Sequence, residues 1–572
     1  MSYVEPTPIE DTPNPSLSLS DKLLAYNQAY QNRVTDGLYW AGFLILSLLL
    51  IAPLWTVTYL PFGDLPDHAA QLKTLMEFSH YADDYRINWF TPYWVGYGLA
   101  LFFSLVFPVV TALKIVLSLA LLAYPLASAW LIRELKGNRF WVWSAFPCAW
   151  GFTFYWGFLS YTVAAPIAIA FFAFSVRYAK AELSWRYLLS AALFSIFLFF
   201  AHALAWAFSL TIACSLLFCY NSFEHTKLKS WGFLAAVPVV LLWLSVTGDS
   251  NQHVESGHLV EHLISRVREI WIQFNNEFYK LARENGHWGR TKELLSFSIG
   301  KPALPDYSLL GLLCLLWPKL IGARFSRNWR RYLPLLITVA AFQLVPYWIF
   351  DTAYVYYRFS IFLIPLGYCL FEQREVSSDE QPIPLRVQLK ALAYQLGGFL
   401  IFANILLSVH SLLSSFRDND EQFKEILSAM EPDKRVMMMV FNGDSAMSFS
   451  PAYSHFAKYY QSEKMGEVLP SFAHDHNADN VPVRYRHRFW QAPSVWNPSE
   501  FNWQRHGGDR YDYFLVRAEH TRNGLFQQAG SAVVLLKKSG PWHLYGKKVY
   551  ASRLIDGRAP QGNPDQRVAA KH

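Results

Sequence analysis

Charge is scarce in this sequence: only 16% of its 572 residues are Asp, Glu, Lys or Arg, where a soluble globular chain carries about a quarter. That excludes an ordinary water-soluble enzyme over most of the length. Cysteine is scarce too, and all five (Cys148, Cys214, Cys219, Cys314 and Cys369) lie in or beside apolar runs. The polar C-terminal part therefore has no thiol from which to build a disulfide. The first 37 residues lack a basic start leading into a short apolar core and a small-residue cleavage site, so they do not read as a signal peptide; they read as a polar, Pro-rich cytoplasmic tail. Repeat-related halves with broken helices, the mark of many transporters, are missing as well.

What the chain has instead is apolar and aromatic mass: 53% hydrophobic and 17% aromatic residues. Between Leu38 and Leu413 these arrive in runs of about 15 to 24 residues, close to the length that spans a bilayer core. Lipid satisfies no backbone polar group, so such runs are helices. The expected architecture is mainly α: a polytopic transmembrane bundle of about eleven spans over 38–414, followed by a soluble α/β domain at 415–556 and a disordered tail at 557–572. Within the bundle, 60–92 forms a first outer loop with an interface helix at 69–80, and 248–306 forms an outer insert or lid. The net charge of +7 suits loops that meet anionic membrane lipid, and nothing points to nucleic acid.

Orientation follows from the short basic loops, which stay cytoplasmic. Arg133/Lys136/Arg139, Arg177/Lys180/Arg186, Lys227/Lys229, the stretch from Lys319 to Arg331, and Arg374/Arg386/Lys390 can all face the cytosol together. This holds if 93–132 contains one full crossing plus a short, incomplete piece beginning at Tyr93. The turns near Trp156 and His202, the insert, the turn at Asp351–Tyr354 and the C-terminal domain then lie on the other side, as in a bacterial inner-membrane protein with an extracytoplasmic domain.

That outer side collects the chemistry. After the first span comes Pro61-Phe62-Gly63-Asp64-Leu65-Pro66-Asp67-His68, two carboxylates and an imidazole at the mouth of the bundle. A carboxylate there can take a proton from an acceptor hydroxyl or hold a divalent cation. Asp67 can equally cap a helix beginning near His68, whereas Asp64 is expected to lie too early to cap. His202 interrupts two apolar runs, and so deep an ionisable group is either functional or a neutral ring satisfied by a neighbouring carbonyl. Arg358 sits about one turn inside the expected lipid boundary, where a guanidinium needs an anion such as a lipid phosphate; snorkelling to headgroups is the plain alternative. Asp351, Tyr354 and Tyr357 flank it, the tyrosines reading as an interfacial aromatic belt.

Three motifs, Asp64 to His68, Trp156-Gly-Phe-Leu-Ser-Tyr161 and His202-Ala203, resemble those of bacterial membrane proteins in the GT-C superfamily of integral membrane glycosyltransferases. That superfamily includes protein O-mannosyltransferases, oligosaccharyltransferases and aminoarabinose transferases. The resemblance covers roughly 38–372. It implies a polyprenyl-phosphate or polyprenyl-diphosphate sugar as donor, and a glycan, lipid or protein acceptor on the non-cytoplasmic side, with inversion at the anomeric carbon. By resemblance Asp64 would be the catalytic base, Asp67 its alternate and Arg358 the donor-phosphate ligand. His68, Trp156, Tyr161, His202, Asp351, Tyr354 and Tyr357 would line the cavity. No obligatory metal is expected, with Mg or Mn left open, because the only Asp-x-Asp, at Asp418 to Asp420, reads as a helix start.

In the C-terminal part, strands are expected at 435–441, 511–517, 532–538 and 542–549. The basic aromatic stretch from Val483 to Trp490 reads as a solvated face, and His474-Asp475-His476 as plain surface rather than a metal site. A transporter or lipid-linked-glycan flippase, a glycan polymerase or ligase, and an assembly factor are the competing readings of the whole.

Overall fold

The computed structural model describes residues 36–246, 264–265, 268–269, 271–276, 286–299, 307–349, 352–373, 385–443, 452–474, 481–486 and 497–555. Most of the expected lid lies outside these, as do Asp351, the Asp475-His476 pair and 487–490.

The membrane part is built from helices α1 (Asp36–Trp55), α2 (Leu65–Met76), α3 (Trp94–Ser104), α4 (Val109–Glu134), α5 (Leu159–Lys180), α6 (Trp185–Ala201), α7 (Ala203–Tyr220), α8 (Gly286–Phe297), α9 (Ser308–Leu320), α10 (Leu333–Leu344) and α11 (Leu385–Ser414). Among the described residues five helical stretches are long and apolar enough to cross a membrane: α1, α4, α5, α7 and the stretch beginning at Leu392. The chain is thus multi-pass, but the other apolar runs behind the expectation of eleven spans form shorter helices or chains of short pieces. Helix α3 has 11 residues and α10 has 12, so at 1.5 Å per residue neither reaches across a core of about 30 Å. The run at 355–371 is a buried chain of short pieces, Tyr356–Phe362, Leu363–Gly367 and Tyr368–Leu370.

The basic loops gather at one end of the bundle. Lys180 donates to the Glu134 carbonyl, Lys229 to the carbonyls of Tyr178, Ala179 and Ala181, and Arg330 to those of Phe218 and Asn221. Arg331 pairs with Glu372 at 3.0 Å beside the two-residue strands β2 (Arg324–Phe325) and β3 (Phe371–Glu372). Cations at helix C-termini satisfy the last carbonyls and complement the dipole. Helices α5 and α7 start at the opposite end, at Leu159 and next to His202.

Beyond α11 come α12 (Arg417–Ser428) and a five-stranded sheet, order β5-β4-β7-β9-β8. Its strands are β4 (Arg435–Val440), β5 (Glu467–Leu469), β7 (Tyr513–Arg517), β8 (Val533–Ser539) and β9 (Trp542–Lys547), with β4 parallel to β5 and β7 and the rest antiparallel. This unit is welded to the bundle rather than tethered. Both carboxylate oxygens of Asp420 accept backbone N–H groups of Thr58 and Tyr59 at 2.8 Å. Strand β1 (Tyr85–Ile87) of the first outer loop pairs with β6 (Val483–Tyr485).

The first outer loop differs from the expected interface helix. Helix α2 begins at Leu65, four residues earlier than expected, because Pro66 suits the first turn of a helix. Its Leu65 to Leu72 are all buried, under a short helix α13 (Tyr459–Lys464) of the C-terminal unit.

Candidate functional site

Asp64 stands at the N-cap position of α2 but makes no capping bond with its side chain. Its backbone N–H donates instead to the carbonyl of Trp156, at 2.9 Å. That approach requires Gly157, which has φ +87° and whose missing Cβ would lie 2.7 Å from the Leu65 nitrogen. The Asp64 carboxylate keeps 19% of its surface exposed. Burial pushes its pKa up to about 7, against the opposing pull of Arg358 and the Trp156 side chain, while nearby Asp67 adds to the rise.

Arg358 supplies the opposite charge. Its guanidinium is buried, lies 3.8 Å over the Phe158 ring, and donates to the Ala353 carbonyl at 3.3 Å. Its Nε has no hydrogen-bond partner among the described residues, nor does the buried hydroxyl of Tyr161, whose ring centroid is 5.8 Å from the guanidinium. Buried polar groups left in this way call for an explanation, an unbound ligand among them.

His202 closes the same wall, its ring edge-on to Tyr93 at 4.7 Å and to Tyr161 at 4.8 Å. Its Nδ1 accepts the Leu204 N–H at 3.2 Å, making His202 the N-cap of α7. Trp156 packs on Tyr354 with ring centroids 4.0 Å apart, and Tyr354 stacks with Tyr357 at 5.8 Å. Tyr354 holds φ +58°, a conformation a bulky residue keeps only when its surroundings enforce it. These tyrosines are half-buried in an aromatic wall, not spread as a belt.

Asp67, expected as the alternate base or helix cap, has another position. It lies in the first turn of α2, fully buried, 3.3 Å from the equally buried Lys458 ammonium. Gln71 donates to it at 2.9 Å and the Phe472 N–H at 3.3 Å. Burial acts to raise its pKa, but Lys458, then His455, the Gln71 donor and His68 outweigh it and hold the carboxyl below its ordinary range. With its lone pairs so occupied, Asp67 is a poor base. His68 hydrogen-bonds Tyr97 at 2.5 Å, and burial lowers its pKa to about 4. It is a neutral packed ring rather than a free cation.

No family model and no curated protein matches the sequence. Among solved structures the chain is similar to the archaeal oligosaccharyltransferase AglB from Archaeoglobus fulgidus, determined in complex with an inhibitory peptide and a dolichol-phosphate. The TM-score is 0.40 at 13% identity, over 84% of this chain and 70% of that one. It is also similar to the arabinofuranosyltransferase AftD from Mycobacteria, with TM-score 0.38 at 10% identity, over 88% of this chain and 40% of that one.

Asp64, Trp156, Tyr161, His202, Tyr354, Tyr357 and Arg358, drawn from four separate stretches, thus lie around one site. Reasoning from sequence missed Tyr93, Phe158 and, from the C-terminal unit, His455 and Lys458. The available signal for the last two was their three-residue spacing inside an apolar stretch, Tyr453-Ser-His-Phe-Ala-Lys-Tyr-Tyr460. Among the described residues no group of three His, Cys, Asp or Glu side chains could hold a metal ion.

Proposed function

We propose that the chain is a membrane glycosyltransferase that moves a sugar from a polyprenyl-(di)phosphate donor to an envelope glycan, lipid or protein on the extracytoplasmic side of a bacterial inner membrane. The observation that carries this reading is that Asp64, a partly exposed carboxylate, and Arg358, a buried guanidinium with an unused donor, border the same aromatic wall within electrostatic reach of each other. A hydroxyl of the acceptor attacks the anomeric carbon, and its proton passes to the Asp64 carboxylate. The bond from that carbon to the phosphate oxygen breaks with its electron pair on the phosphate. Arg358 holds the departing negative charge through Nε and its terminal nitrogens. Attack opposite the leaving group inverts the anomeric centre. A base pKa near the operating pH is what general-base catalysis favours, and the aromatic wall of Trp156, Tyr354 and Tyr357 offers apolar faces for sugar C–H groups.

The decisive experiment is transfer in membranes. Lipid extracts of a strain lacking this chain should accumulate a polyprenyl-linked sugar, and that lipid, isolated and radiolabelled, should be consumed by the wild-type protein. Asp64→Asn should lower transfer by about 10²–10⁴-fold without lowering the melting temperature. Full transfer by Asp64→Asn would remove the base and with it this mechanism.

A further inference from the structure

The C-terminal unit meets the first outer loop through the short segment 455–461. Tyr459 donates its hydroxyl proton to the Leu60 carbonyl at 2.9 Å, and the Gln461 amide donates to the Thr74 hydroxyl at 3.0 Å. Beside these contacts runs a matched pair of rungs. Asp64 and Asp67 are three residues apart on the loop, and His455 and Lys458 are three residues apart on the facing turn, so each pair presents to one side. Lys458 Nζ lies 3.3 Å from Asp67, and His455 Nε2 lies 3.9 Å from Asp64 Oδ1.

The two rungs do different things. The Lys458 rung is closed and fully buried. The His455 rung is open at 3.9 Å, beyond hydrogen-bond distance, and its Nδ1 has no partner among the described residues. The imidazole is clamped against Phe472 with centroids 4.9 Å apart, so its approach to Asp64 is set by the Lys458–Asp67 anchor one turn away. We infer that His455 is a positioning residue for Asp64: its Nε2–H orients the carboxylate toward the acceptor, so the C-terminal unit completes the site. This rests on the reading of Asp64 as the base. The other groups facing Asp64 are Arg358, the Trp156 side chain, Asp67, Tyr97 and Tyr354. Burial and Lys458 lower the His455 pKa to about 4, against the pull of Asp67, so at neutral pH the ring is an uncharged donor.

The test is an infrared titration of the full-length protein in detergent, following the protonated-carboxyl band that Asp64→Asn removes. Loss of a donor to the ionised form should raise the midpoint by about one pH unit in His455→Phe, which keeps ring volume. His455→Gln, which retains an N–H at similar reach, should restore the wild-type midpoint. Equal midpoints in wild type and His455→Phe, or equal displacement in Phe and Gln variants, would overturn the inference and leave a merely structural ring. The titration does not depend on turnover. Full transfer by Asp64→Asn alongside a displaced midpoint would instead sink the catalytic reading while the His455–Asp64 coupling stood.

Discussion

Asp64 and Asp67 are three residues apart, yet the fold treats them oppositely. Asp67 is sealed, with a cation at 3.3 Å and donors from Gln71 and the Phe472 backbone. Asp64 is left partly open, facing a guanidinium that itself has spare hydrogen-bonding capacity. A saturated buried pair fixes how two parts of the chain meet, and an unsaturated one leaves free energy for a ligand to collect. The lesson is that in one acidic loop the residue with fewer partners is the better catalytic candidate.

The comparison breaks first at the cations. Lys458→Met leaves Asp67 charged and buried without its partner, which should cost about 3–5 kcal/mol and appear as a large drop in melting temperature in detergent. Arg358→Met removes a cation that has no close carboxylate bond to lose, so melting should stay the same or rise while transfer collapses. Equal destabilisation by the two substitutions would show that Arg358 is structural.

The two carboxylates should also respond to pH with opposite sign. Asp64 has a folded pKa near 7 against about 3.9 when unfolded, so the folded state binds the extra proton. Its contribution to stability is full below pH 4 and is lost as pH rises to 7, by roughly 4 kcal/mol over the window. Asp67, with its pKa depressed, contributes stability above its unfolded pKa and loses it as pH falls through the folded one. Thermal melts from pH 4.5 to 7.5 should therefore fall less steeply in Asp64→Asn than in wild type. Transfer by the wild-type protein should decline below about pH 7 as the base is protonated.

Much of the site was legible because membrane proteins punish buried charge: Asp64, His202 and Arg358 stand out in apolar surroundings, and the basic loops imply that they share a side. What stayed hidden was register and long-range pairing. The start of α2 at Leu65 depends on Pro66 being accepted in a first turn, and the expectation of a helix from residue 69 misread Asp64 as too early for the cap position. Lys458 and His455 lie beyond the last membrane-length apolar run, where a cation does not stand out by itself, so it is the fold that reveals that they face the loop. The count of spans exceeds the count of long helices for a related reason. An apolar run such as 355–371 has the composition of a crossing helix, yet it breaks into short pieces once it is buried among other helices, where neighbouring groups can satisfy its freed backbone.

A smaller test bears on how closely the hairpin must approach Asp64. Gly157→Ala places a Cβ 2.7 Å from the Leu65 nitrogen at a φ of +87°, so the Trp156 turn must back away or the α2 start must move. The expected cost is about 1–3 kcal/mol, with loss of transfer larger than the stability change alone explains, because the displaced group is Asp64. An alanine variant with normal transfer would mean that the Trp156 carbonyl does not set the position of the carboxylate.

The smallest effect separates the two roles open to His202. Its Nδ1 caps α7 by accepting the Leu204 N–H, and its ring fills the space between Tyr93 and Tyr161. Loss of the cap in His202→Ala should cost about 1 kcal/mol, and His202→Asn, a good capping residue, should recover most of it. If the histidine serves only as a cap, transfer by the Asn variant returns with the melting temperature. If the ring also shapes the wall beside Arg358, melting recovers and transfer does not, which would place His202 with Asp64 on the unsaturated side of the comparison rather than with Asp67.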